Sequence, residues 1–140
     1  MFDYDEAAKT YDAHRGRWGP YVPVLKRLAN SCDARRVLDV GCGTGNSARQ
    51  LKEAFPCTVI GIDPSRGMLA RARCKDSPDC VVQATGEAIP VASGWADYVF
   101  ACYVLHHVQD LDALARECWR VLGEGVTAFV TASHEFIDRY

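Results

Sequence analysis

The sequence predicts an α/β fold: a doubly wound sheet of about five parallel strands. Three observations predict it. First, short apolar runs recur along the chain, at 37–40, 58–62, 80–84, 98–102 and 126–132. Second, the stretches between them carry apolar residues at helical spacing, such as Ala48, Leu51, Ala54 and Phe55, and later Leu111, Leu114, Ala115, Cys118 and Leu122. Continuous apolar strands alternating with amphipathic helices are the signature of a parallel sheet covered on both faces. Third, the first run, Val37-Leu38-Asp39-Val40, breaks into Gly41-Cys42-Gly43-Thr44-Gly45 and opens a helix. Glycine there lets a ligand approach the main chain, and a helix N-terminus aims free N–H groups at the same point.

The elements follow in order. Residues 2–11 predict a short helix with Ala7, Ala8 and Tyr11 on one face, and Gly16 to Pro20 break the chain. Trp18 is read as packing. Val22, Leu25 and Leu28 predict a second helix over 21–29. A helix over about 45–55 stops at Pro56, and the strand at 58–62 ends at Asp63-Pro64-Ser65. Ser65 can cap the helix after it. Gly94 to Asp97 turn into the fourth strand. Asp110 caps a helix over 111–122, and a glycine is expected to end that helix.

Composition narrows the function. The 140 residues fit a single domain, with 49% hydrophobic and 24% charged residues. A net charge of −2 and no basic run argue against nucleic acid. No apolar segment approaches the roughly 20 residues of a membrane span. The start, with Asp3, Asp5 and Glu6, does not read as a signal peptide. The seven cysteines form no C-x-x-C pair and read as free thiols in a reducing cytoplasm, with no metal site. The adjacent His106 and His107 are expected to point apart on a helix or strand.

The ligand is read from spacing. A dinucleotide turn wants G-x-G-x-x-G/A, but Asn46 takes the place of the third small residue. Asp39, two positions before the turn, would repel a pyrophosphate and attract an ammonium. Both disfavour a nicotinamide dinucleotide. A carboxylate at Asp63, closing the second strand, can accept hydrogen bonds from a ribose diol.

Val37 to Gly45 resembles motif I of the class I S-adenosylmethionine methyltransferases, V-L-D-x-G-C-G-T-G. The resemblance runs over residues 2–130 and is closest to the quinone-biosynthesis branch. It implies a Rossmann-like sheet in the order 3-2-1-4-5, with residues 1–30 as a helical cap and 35–132 as the core of one domain. It implies S-adenosylmethionine as cofactor and methyl transfer to a small-molecule acceptor through an O, N, S or C nucleophile. The alternative is a cofactor-binding module without catalysis. By resemblance, Asp39, Gly41, Cys42, Gly43 and Gly45 form the cofactor turn, and Asp63 with Pro64 holds the ribose. Met68 touches the adenine, or else packs. Tyr11 approaches the methionine carboxylate, or its helix merely caps the sheet. Carbonyls near Ala101 face the ammonium. Thr85-Gly86-Glu87 resembles D-A-E, an adenine-binding segment, with an uncharged threonine in first place. Asp97 is structural in that family. Cys102 to His107 resembles x-x-V-L-H-H, which makes His106 the candidate base, against a reading of it as a buried histidine without chemical duty. The family's final two strands are missing, so strand five is an apolar edge. A second copy of the chain, the tail 134–140 or a longer protein could cover it, and a homodimer is the favoured expectation.

Overall fold

The computed structural model describes residues 3–14 and 35–131, with side chains described for 3–13 and 35–123. Trp18, the helix expected over 21–29, Cys32 and the tail 134–140 lie outside the described residues.

Five strands form one parallel sheet in the order β3-β2-β1-β4-β5. They are β1 (Arg36–Val40), β2 (Thr58–Asp63), β3 (Cys80–Gln83), β4 (Ala96–Cys102) and β5 (Leu122–Thr131). The order reverses between β2 and β4, on either side of β1. Val37 pairs with Val59 on one side and Tyr98 on the other. That crevice at the carboxyl ends is where open α/β sheets take ligands.

The helices are α1 (Tyr4–Ala7), α2 (Tyr11–His14), α3 (Asn46–Ala54), α4 (Arg66–Cys74) and α5 (Leu111–Val121). The N-terminal segment is therefore two short helices, not one. Asp3 caps the first by accepting from the N–H groups of Asp5 and Glu6. A turn at residues 8–10 separates it from α2.

Strand parity distributes the core. Leu38 and Val40 join Ile62, Val99, Ala101, Leu114, Cys118 and Val121 in one cluster. Val37 joins Ala48, Leu51, Val59, Tyr98 and Phe100 in the other. Asp39 shares the parity of Val37, so it faces α3 and meets Ser47 there. The expected stripe of α5 is narrower than its spacing suggested. Leu114, Cys118 and Val121 are buried, but Leu111 is 55% exposed and Ala115 is exposed. Both lie past the edge of the sheet-facing stripe. No glycine ends α5. Leu122, extended at φ −74° and ψ 137°, carries the chain straight into β5.

Ion pairs fasten loops to this frame. Asp97 accepts from the N–H groups of Arg35 and Arg36 and pairs with the Arg36 guanidinium at 2.8 Å. That is the structural duty expected of it. Glu117 on α5 accepts from Ile89 N–H at 2.7 Å and pairs with Arg120. Arg120 donates in turn to the carbonyls of Ile89 and Val91. Together they pin the loop after β3 onto α5.

The Arg120 hydrogen bond, then the Ile89 N–H, hold the Glu117 carboxyl at about 2, below its ordinary 4.5. A depressed carboxylate contributes stability above its unfolded value and loses it as pH falls. Glu117→Ala is expected to cost about 1 kcal/mol near neutral pH, given the partial exposure of the pair. The difference from the parent should shrink as pH falls from about 4.5 toward 2, measured by urea unfolding.

Candidate functional site

The carboxyl ends of β1, β2 and β4 open into a cavity of about 920 Å³. Its floor is the turn after β1. Gly41, Gly43 and Gly45 all have positive φ, at 69°, 53° and 82°. At Gly41 an added Cβ would stand 2.2 Å from Val104 Cγ2, so the loop after β4 closes onto the turn. At Gly43 an added Cβ would meet nothing within 4 Å. That glycine leaves open space above bare main chain.

Asp63 sets the geometry of the turn. Its Oδ2 accepts from Gly43 N–H and its Oδ1 from Ser65 N–H, both at 2.9 Å. Each oxygen keeps further acceptor capacity toward the cavity it lines. Burial raises its carboxyl above the ordinary range, against those two hydrogen bonds. Ser65, not Asp63, caps α4, by accepting from Met68 N–H at 3.1 Å.

Asp39 sits behind the turn, 1% exposed. Its Oδ2 accepts from Ser47 Oγ at 2.6 Å, and its Oδ1 has no hydrogen-bond partner among the described residues. Burial, opposed by Ser47 and reinforced by Asp63, pushes its carboxyl up to about 7. A buried oxygen without a donor is costly, and a cationic ligand group would satisfy it.

The predicted site residues divide. Tyr11, Gly41, Gly43, Asp63, Pro64, Met68, Thr85, Gly86 and Glu87 line the cavity together. Asp39, Cys42, Gly45 and Ala101 are not among its lining residues. Cys42 packs on Gly61, where an added Cβ would stand 2.7 Å from the sulfur. Its N–H donates to the Ile62 carbonyl. Gly45 is the left-handed N-cap of α3. Ala101 is fully buried in β4, and Cys102, Tyr103 and Val104 reach the cavity instead. Gly86 has a packing reason as well, since its Cβ would stand 2.7 Å from Leu114 Cδ1.

The histidines differ most from expectation. His107, not His106, lines the cavity. Both are exposed, so the buried reading of His106 also fails. They lie in a 3-10 turn, Leu105–His107, and their rings meet at a 3.8 Å centroid distance instead of pointing apart. The tight turn removes the alternation that a strand would impose.

The N-terminal segment also exceeds what its sequence implied. Asp5 Oδ1 accepts from Ser65 Oγ at 2.5 Å and Gly67 N–H at 2.8 Å. Those two bonds, led by Ser65, hold its carboxyl low. Asp12 accepts from Thr44 Oγ1 at 2.6 Å and Asn46 Nδ2 at 2.9 Å, and pairs with Lys75 at 2.7 Å. Burial opposes the charge on Asp12, but these partners outweigh it and its carboxyl falls. Tyr4 lines the cavity and bonds His107 Nε2. The one cue was the string of acids at 3, 5 and 12 in an otherwise short helical stretch; no local pattern names their partners.

Known methyltransferases resemble this chain. A family model described as "Methyltransferase domain" matches residues 38–130. A malonyl-[acyl-carrier protein] O-methyltransferase of Enterobacter lignolyticus is 40% identical over 136 residues, covering 91% of this chain and 51% of that protein. A trans-aconitate 2-methyltransferase of Klebsiella pneumoniae is 45% identical over 71 residues, covering 50% of this chain and 26% of that protein. The chain thus spans about half or less of the curated relatives it matches. Among solved structures, an S-adenosylmethionine-dependent methyltransferase of Mesorhizobium loti is 28% identical with a TM-score of 0.71, covering 85% of this chain and 56% of that one. A methyltransferase structure from Methanococcus maripaludis has the same fold, with a TM-score of 0.80 at 20% identity, covering 93% and 64%. With its 3-2-1-4-5 sheet, open glycine turn and family match, this chain belongs to the class I S-adenosylmethionine-dependent methyltransferases.

Proposed function

We propose that this chain binds S-adenosylmethionine across the Gly41–Gly45 turn and carries its methyl group to a small-molecule acceptor. The observation that carries the reading is the open space over Gly43, bounded by Asp63 on the cavity wall. The site fits the cofactor's chemistry. Asp63 has acceptor capacity for a ribose diol, and the unpartnered Asp39 oxygen suits an ammonium. Pro64 lines the same cavity and is assigned to the ribose, and Met68 with Thr85, Gly86 and Glu87 to the adenine. Tyr11 suits the amino acid carboxylate. Cys42, Gly45 and Ala101 act as framework behind the lining.

The cofactor supplies an activated methyl group and a neutral leaving group. The chain's own part is alignment and exclusion of water. The glycine turn fixes one end of the cavity. The segment from Asp3 to Tyr11 and the loop after β4 bound the rest of it.

Asp63→Ala is expected to weaken S-adenosylhomocysteine binding by about 1.5–3 kcal/mol, through lost charge-assisted hydrogen bonds. Gly43→Val is expected to abolish binding, because its side chain would fill the open space. Calorimetric titration checks both, and parent-like affinity in either variant would put the site elsewhere.

Affinity is also expected to depend on pH through Asp39. Below about 7 that carboxyl holds a proton, which an incoming ammonium must displace. Binding should therefore strengthen roughly eightfold between about pH 6 and about pH 7.5. Asp39→Asn should bind more weakly and lose that slope. An unchanged slope in the variant would assign the titration to another group.

A further inference from the structure

Two side chains in the cavity take no part in the cofactor contacts proposed above. Tyr4, on α1, and His107, in the 3-10 turn after β4, are 103 positions apart in sequence. The phenol oxygen lies 2.5 Å from His107 Nε2, and the rings meet edge to face at 5.0 Å. Both line the cavity, beside Tyr103 and Val104 at the end of β4. Tyr103, a bulky residue, is held at φ +59°, in a left-handed region that such residues seldom adopt. Strain of this kind marks segments whose position matters.

The pair is held from both ends. Asp3 and Asp5 anchor the tyrosine's segment, the first by capping α1 and the second through Ser65 and Gly67. The His106 ring also meets His107, tilted by 49° at a 3.8 Å centroid distance. The charged groups lining the same cavity are the carboxylates of Asp3, Asp5, Asp63, Glu87 and Asp110, with no lysine or arginine among the described residues. The formal charge along this lining is therefore negative.

We propose that Tyr4 and His107 form a proton relay for the methyl acceptor, and that the acceptor is a hydroxyl or amine, not a carboxylate. This rests on the methyl-transfer reading. As the acceptor heteroatom bonds the methyl carbon, the cofactor's carbon–sulfur bond breaks and its electron pair stays on sulfur. The acceptor's proton passes to the Tyr4 oxygen, and the Tyr4 proton passes to His107 Nε2. The positive charge that began on sulfur ends on the imidazole. His107 is exposed and returns that proton to water. A carboxylate acceptor carries no proton near neutral pH and needs no relay.

The relay is tested on the whole chain, labelled with ¹⁵N-histidine, and on Tyr4→Phe and His107→Gln, whose folding is checked by thermal melting. With S-adenosylhomocysteine bound, His107 should be neutral, with Nδ1 protonated and Nε2 accepting, and Tyr4→Phe should shift the Nε2 resonance. A protonated Nε2 in the neutral ring, or no shift in the variant, overturns the pair. Methyl-labelled cofactor is then offered with phenols, alcohols, amines and trans-aconitate. Each variant should lose at least 100-fold in turnover of a hydroxyl or amine acceptor, with S-adenosylhomocysteine affinity within twofold of the parent. Affinity falling in step with turnover would make the pair a closure contact and overturn the relay. So would a parent that methylates only trans-aconitate, at a rate neither variant changes. A parent that binds no S-adenosylhomocysteine overturns the methyl-transfer reading and the relay with it.

Discussion

One hydrogen bond joins the scaffold to the site: Gly43 N–H donating to Asp63 Oδ2 at 2.9 Å. It ties the turn after β1 to the end of β2. It is effective because both strands are fixed first. The β1–β2 register pairs Asp39 with Gly61 and Val40 with Ile62. The N–H groups of Gly41 and Cys42 then both reach the Ile62 carbonyl, at 2.8 and 3.0 Å. The turn is thus held by the neighbouring strand's backbone and by one buried carboxylate. Little side-chain bulk stands on its cavity side, and that leaves room for a ligand.

Electrostatics in the site run against ordinary expectation for surface carboxylates. Asp39 and Asp63 are buried, and burial lifts both carboxyls, whereas Asp5 and Asp12 lie further out and are held low by their partners. The inner pair lacks a cation among the described residues; the outer pair is already satisfied by hydroxyls, amides and a lysine. This contrast assigns different work to similar side chains. The inner acids keep acceptor capacity that no described residue uses, and the outer ones tie the N-terminal helices to the sheet.

Those outer ties matter because α1 and α2 are only four residues each. Helices so short have no stability of their own. Their place comes from tertiary contacts: Asp5 on Ser65 and Gly67, Asp12 on Thr44, Asn46 and Lys75, Arg71 on the Lys9 carbonyl. The loop after β3 is governed in the same way, through Glu117 and Arg120 on α5. Both walls of the cavity thus depend on ion pairs and charged hydrogen bonds that reach across the chain, while its floor depends on strand pairing.

By itself, the sequence determined the alternation of strands and helices, the glycine turn at 41–45 and the two acids that flank it. These follow from local rules: apolar runs make buried strands, glycine permits positive φ, and strand parity turns Asp39 toward α3. Most of the predicted cofactor residues line one cavity for that reason. Only the tertiary structure decided that His107 and not His106 reaches the cavity, that Leu111 and Ala115 stay exposed, and that Cys42 turns onto Gly61. It alone brought Tyr4 to His107 and Asp12 to Lys75. The physical reason is range. Side-chain direction in a tight turn, and hydrogen bonds between residues sixty or a hundred positions apart, depend on how whole elements pack, and no local spacing records that.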